Sequence, residues 1–167
     1  MVAFATVAMN DKVSFQRAYG AALRLISYRP KSVSEIRLGL RRRFPETLVD
    51  QVVQRLVDQG LLDDTGFAQQ WSRSRDTHRP RSKQRVKEEL LSKGVDRVIA
   101  ENAVLEIDDE SNAYRAALKQ TSKFIGLKRP VFQRRTAGFL QRRGFAPSVI
   151  RRTVDKLWEQ RAETGDD

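Results

Sequence analysis

Between Arg73 and Lys87 the chain places Arg73, Arg75, Arg79, Arg81, Lys83, Arg85 and Lys87 against one acidic residue, Asp76. Guanidinium and ammonium groups at this density do one kind of chemistry well: they hold oxyanions, phosphate or carboxylate, through charge-assisted hydrogen bonds. Smaller clusters of the same kind stand at Arg41, Arg42 and Arg43, at Arg134 and Arg135, at Arg142 and Arg143, and at Arg151 and Arg152. The opposite pole is residues 94–110, where Asp96, Glu101, Glu106, Asp108, Asp109 and Glu110 face only Arg97. Groups that make or break bonds are absent from the pattern. There is no cysteine, which excludes a thiol nucleophile, a disulfide framework and a thiolate metal site. The single histidine, His78, has no second imidazole with which to share a metal or a proton and reads as a surface residue. No phosphate-binding glycine loop, nucleophile elbow or H-E-x-x-H helix occurs. The chain therefore reads as a binding protein and not an enzyme, with no cofactor and no metal.

The whole chain carries 32 Lys+Arg against 21 Asp+Glu, a net charge of +11. So basic a protein is drawn to polyanions at long range; nucleic acid is the commonest, and an acidic protein surface would serve as well. The charge is uneven: residues 15–62 are net +5, 63–107 net +1 and 108–160 net +7. With 40% hydrophobic residues the chain can bury a core, which excludes wholesale disorder. The opening MVAFATVAM lacks the leading charge of a signal peptide and the length of a membrane span. A cytoplasmic location and no membrane association are expected.

The elements that carry these residues are spaced on a ruler. Arg29-Pro30, Arg79-Pro80 and Arg129-Pro130 recur at the same interval. After each, Ile36, Val86 and Thr136 align, as do Leu40, Leu90 and Leu140, four apart on one helical face. Gly94 and Gly144 stand where a left-handed residue ends a helix, and Arg43 takes that place in the first copy. A further amphipathic helix follows in each copy, marked by Leu48/Val52/Val53, Ile99/Ala103/Val104 and Val149/Thr153/Val154. Asp96 suits the cap of the second of these and Pro147 the first turn of the third. Before each Arg-Pro lies a helical stretch, Phe15–Tyr28, Phe67–His78 and Asn112–Ile125, ended by the proline that follows. Ser32 with Glu35 has the form of a capping box. A self-similar period of this length predicts an all-α chain of three tandem three-helix, helix-turn-helix-like units, elongated and curved, without a sheet. The expected boundaries are 15–62, 63–107 and 108–160, after a loosely ordered leader or early packing strand at 1–14 and before an acidic tail at 161–167. Units this small share contacts with their neighbours.

The stretch Arg55-Leu-Val-Asp-Gln-Gly-Leu-Leu-Asp-Asp-Thr-Gly-Phe67-Ala resembles the L-x-x-x-G-L-L-D-D-x-x-F-A junction of the regulatory protein RecX family, bacterial modulators of the RecA recombinase. Trp71, Arg75, Arg79, Val86-Lys-Glu-Glu-Leu90 and Lys93-Gly94-Val95 are similar to the family's second unit, and Gly144-Phe145 with Val149-Ile150 to its third. The likeness spans roughly residues 15–160. Arg43 departs from it, and residues 1–14 have no counterpart. The resemblance implies a non-enzymatic monomer acting in recombination, DNA repair and the SOS response. It would lie along the groove of a RecA–single-stranded DNA filament and inhibit ATP hydrolysis, strand exchange and co-protease activity. It would also bind single- and double-stranded DNA directly.

The residues expected to contact filament or nucleic acid are Arg73, Arg75, Arg79, Arg81, Lys83, Arg85 and Lys87, flanked by Arg41–Arg43, Arg134, Arg135, Arg142, Arg143, Arg151 and Arg152. Two alternatives stand beside this. A helix-turn-helix transcriptional regulator would read duplex DNA through residues 148–156, the one last helix with a suitable cationic face, Arg151, Arg152 and Lys156. A general nucleic-acid-binding protein would have no recombinase partner. The clusters at Arg41–Arg43 and Arg142–Arg143 also suit helix C-termini, and the acids at 106–110 suit the next helix's start. The aromatic residues read as core, with base stacking by Trp71 or Tyr28 the exception.

Overall fold

The structure, a computed structural model, describes residues 2–124 and 126–163. Among them all regular structure is helical: α1 Val2–Tyr28, α2 Val33–Arg41, α3 Glu46–Asp58, α4 Asp64–His78, α5 Lys83–Ser92, α6 Arg97–Ala103, α7 Asp109–Thr121, α8 Arg129–Gln141 and α9 Pro147–Glu163. In chain order they form three triplets. By packing they form two compact units, Met1–Ala68 with Leu91–Ile99, and Gln69–Leu90 with Ala100–Asp167.

In the first unit α1, α2 and α3 pack on one another around Ile36, Leu40, Val49, Val52, Val53 and Leu56, with Ala18 and Ala22 letting α1 approach closely. In the second, α7, α8 and α9 close over Phe132, Leu140, Phe145, Val154 and Leu157, with Ala113 and Ala117 in the same role. Ile36, Val86 and Thr136 are all fully buried, as are Leu40, Leu90 and Leu140. The one polar member, Thr136, has a buried Oγ1 without a hydrogen-bond partner among the described residues.

The punctuation follows the sequence at most positions. Ser32 and Glu35 make the reciprocal bonds of a capping box. Gly94 and Gly144 take φ of +74° and +86°, the Val98 amide donates to Asp96 at 2.8 Å, and Pro147 is the first residue of α9. Two elements differ. The first helix starts at Val2 and not at Phe15, so the expected leader or strand is helix; the segment holds no proline and is rich in alanine, which favours helix. The third Arg-Pro does not close a first helix: α7 stops at Thr121, and Arg129-Pro130 opens α8 instead. Gly126 at φ +73° and Lys128 in extended backbone turn the chain before it, and proline costs nothing where no amide bond is needed.

The repeats meet through a joint that occurs once in each compact unit. In the first, the Ser32 hydroxyl donates to the Lys93 carbonyl at 2.6 Å, and Asp64 accepts from the Val33 amide at 2.9 Å. In the second, the Ser82 amide donates to the Arg143 carbonyl at 3.2 Å, and Asp109 accepts from the Lys83 amide at 2.6 Å. The glycine ending each opposing helix lies against the capped start. A Cβ on Gly94 would come within 2.3 Å of Ser34, and one on Gly144 within 2.7 Å of Ser82 and Arg85. Beside the first joint, Glu35 binds Arg29 at 2.7 Å and Lys93 at 3.3 Å. Burial opposes ionisation of this carboxylate, but the bonds from Arg29 and the Ser32 amide and the charge of Lys93 outweigh it and bring its pKa down to about 2. Asp64 moves the other way, raised mainly by burial and further by the charges of Asp63 and Glu35.

Two outcomes are expected. Gly94→Ala and Gly144→Ala each lose roughly 2–3 kcal/mol in urea unfolding, from the positive φ together with the collision. Gly60→Ala loses only about 1 kcal/mol, because Gly60 has φ +68° but nothing within 4 Å; equal losses at the three sites would remove the joint as the reason for the glycines. Glu35→Gln, which keeps the capping geometry, flattens the acid limb of stability. The wild-type contribution of roughly 2 kcal/mol is present above the unfolded pKa near 4.5 and fades as pH falls toward 2. Superimposable unfolding profiles for the two proteins over that range would contradict it.

Candidate functional site

The densest cationic stretch is organised around a carboxylate. Glu89, on α5, has a side chain only 12% exposed. It accepts from Trp71 Nε1 at 2.9 Å and Arg75 Nε at 2.7 Å on α4, and from the guanidinium of Arg81. Arg75 also lies over the Trp71 ring, 4.3 Å from its centre, a stacking that desolvated guanidinium favours. Further along α5, Lys83 donates to the Leu105 carbonyl at 2.9 Å and Lys87 pairs with Glu101 at 2.7 Å. Arg85 makes an exposed pair with Glu88 at 3.2 Å. Five of the seven cations from Arg73 to Lys87 thus bind the protein itself. Arg73 and Arg79 are exposed and make no ion pair among the described residues.

The flanking clusters divide the same way. Arg143 donates to the Pro80 carbonyl at 2.9 Å and covers the Phe139 ring at 4.5 Å. Burial, and then the charges of Arg81 and Arg79, lower its pKa, so three cations converge on the second joint. Arg152 is held by Glu110, whose hydrogen bond and charge raise the guanidinium pKa. Arg41 pairs with Glu46. Arg42, Arg43, Arg134, Arg142 and Arg151 are exposed, without ion pairs among the described residues, and Arg135 is exposed with its guanidinium 5.9 Å from the Phe124 ring centre.

Several residues that organise this surface are acids, which charge counting does not single out. Asp63 and Asp108 cap α4 and α7, each accepting from two amides, while their neighbours Asp64 and Asp109 reach the joints. The doubled aspartate at the start of both triplets was the available signal. Asn112, fully buried, donates to the Arg81 carbonyl at 3.3 Å. Phe67 and Phe145 are core, as expected, whereas Tyr28 is 87% exposed. Among the described residues no group of three His, Asp or Glu is placed to hold a metal. None of the described helices is long and apolar enough to cross a membrane.

Three family models match the chain in order: the first three-helix domain of RecX over residues 18–56, the second over 63–104 and the third over 108–154. A curated regulatory protein RecX from Chlorobium phaeobacteroides is 34% identical over 146 residues, 86% of this chain and 95% of that one. One from Streptomyces coelicolor is 30% identical over 152 residues, 89% of this chain and 81% of its own length. The crystal structure of RecX from Lactobacillus salivarius shares the fold with a TM-score of 0.74 at 23% identity, covering 87% of this chain and 97% of its own. With all three domain models matched in sequence and relatives this similar along most of its length, the chain belongs to the RecX family of regulatory proteins.

Proposed function

We propose that this chain is a negative modulator of the RecA recombinase that binds in the groove of the RecA–single-stranded DNA filament. There it inhibits ATP hydrolysis, strand exchange and co-protease activity, with direct contacts to DNA phosphates. Family membership supports the regulatory role. The observation that carries the rest is the set of cations left over once internal partners are assigned. In the second unit Arg73, Arg79, Arg134, Arg135, Arg142 and Arg151 are exposed without an ion pair among the described residues. An exposed guanidinium with no acid to answer it can take a phosphate without first breaking a contact that supports the fold.

The same division weakens the transcriptional reading. On α9, Arg152 is bound to Glu110 and Lys156 lies 4.8 Å from the Tyr114 ring centre, leaving Arg151 as the exposed arginine of its first turns without such an attachment. On α3, Glu46 and Asp50 occupy the first turns, and α6 is only seven residues long. A reading helix needs unengaged base-contacting side chains near its N-terminus.

The test is RecA ATPase on single-stranded DNA at constant salt with this protein limiting. Inhibition is expected well below one molecule per recombinase subunit, and Arg73→Glu/Arg79→Glu/Arg142→Glu weakens it at least tenfold with helical circular dichroism unchanged. Arg75→Glu/Arg81→Glu loses folded structure instead, because it sets like charges around Glu89. Suppression only when the DNA is saturated, with an affinity that falls as steeply with salt on any nucleic acid, would favour a general nucleic-acid-binding protein. Full inhibition by the triple variant would move the filament contact elsewhere.

A further inference from the structure

The internal repeat makes a comparison possible that exposes a second site. In the first unit a hollow of about 330 Å³ lies between α1 and the end of α2, floored by Leu25, Leu40 and Phe44 and bordered by Arg24, Arg42 and Arg43. The three arginines are exposed and have no ion pair among the described residues. Two small residues, Ala21 and Gly39, also line it. Counting along the Arg-Pro ruler, the positions equivalent to Ala21 and Gly39 in the second repeat are Trp71 and Glu89. There an indole and a carboxylate fill the corner together, bonded to each other at 2.9 Å and clasped by arginine. In the third repeat the equivalent of Gly39 is Phe139, again covered by an arginine. In the first repeat both positions are small and the corner is apolar; its arginines, Arg24, Arg42 and Arg43, come from other positions, since the equivalents of Arg75 and Arg81 are Leu25 and Lys31.

We propose that this hollow is a docking site for an acidic segment of a partner protein carrying an aromatic side chain, the ring seated on Leu25 and Phe44 and its carboxylates held by Arg24, Arg42 and Arg43. The ring and the acid are those that the second repeat places at the positions of Ala21 and Gly39, and the charge of the three arginines calls for an acidic segment. An extended phosphodiester would satisfy the arginines but leave the apolar floor exposed, so the site is distinct from the phosphate contacts assigned to the second unit and stands whether or not those are correct. Its chemistry matches a common mode of recognition in which a ring supplies anchoring and arginines read carboxylates.

Gly39→Glu places the acid of the second repeat in the hollow. Gly39 is helical with negative φ, and an added Cβ meets only the movable end of Leu25, at 2.9 Å. The variant should therefore fold and melt with the wild type. Binding of a fluorescein-labelled peptide, Asp-Glu-Asp-Trp-Glu-Asp, to the full chain is measured by fluorescence polarisation, with an alanine-for-tryptophan peptide and a labelled oligothymidylate as comparisons. The tryptophan peptide is expected to bind at least tenfold more tightly than the alanine peptide. Gly39→Glu and, independently, the exposed pair Arg42→Glu/Arg43→Glu should each weaken it at least tenfold, while oligothymidylate binding to Gly39→Glu stays within twofold of wild type. Equal binding of the two peptides, or undiminished peptide binding by Gly39→Glu and by the arginine pair, would overturn the proposal. Loss of oligothymidylate binding in Gly39→Glu in step with the peptide would make the hollow a phosphate site instead.

Discussion

A serine-capped helix start seated on a glycine-ended helix stop is the contact on which the rest of the molecule depends. A three-helix unit of some fifty residues buries little apolar surface by itself, and the joint satisfies backbone groups and excludes water at the same place. It does both with few atoms. Ser32 and Ser82 sit almost wholly buried at the two capped starts, Gly94 and Gly144 remove the Cβ that would hold the surfaces apart, and Asp64 and Asp109 take an amide that the helix start leaves without a partner. Removing Ser32, Asp64 or Asp109 leaves a polar group at the joint unanswered, which costs more than the bond contributed.

The first and third repeats depart from the second at the elements that would take part in such a joint. At the stop of α2, where the other two repeats have Gly94 and Gly144, the sequence has Arg41-Arg42-Arg43-Phe44. Where α2 and α5 start on Ser32 and Ser82, α8 begins with Lys128 as a cap without a side-chain bond and Pro130 in its first turn. Arg42 and Arg43, without ion pairs among the described residues, and the open hollow at Gly39 lie at this stop of α2.

Local rules made much of this legible from the residues alone. The apolar pairs four residues apart, the capping box at Ser32, the left-handed glycines and the cap at Asp96 each depend on residues within four or five positions of one another, and each is present in the structure. The third corner was misplaced because an Arg-Pro reads alike whether it ends one helix or opens the next; the difference lies with Gly126 and Lys128 just before it. The roles of Asp64 and Asp109 were hidden for another reason. Their partners are 31 and 26 residues away, and no helical period connects such positions.

Charge was the least legible feature, because a cation on a helix looks the same in sequence whether it supports the fold or faces a ligand. Arg75 and Arg81 belong to the densest basic stretch, yet a single partly buried carboxylate engages both. Arg79 lies between them in sequence and is left outward. A side chain that already neutralises a partly buried acid cannot turn to a polyanion without leaving that acid uncompensated, which costs more than an exposed phosphate contact returns. Binding to nucleic acid or to an acidic protein therefore has to draw on the cations that the acids of the chain do not reach. In this molecule Glu89, Glu101, Glu110 and Glu46 perform that sorting, so the placement of the acidic residues, more than the number of basic ones, decides which arginines are available for function.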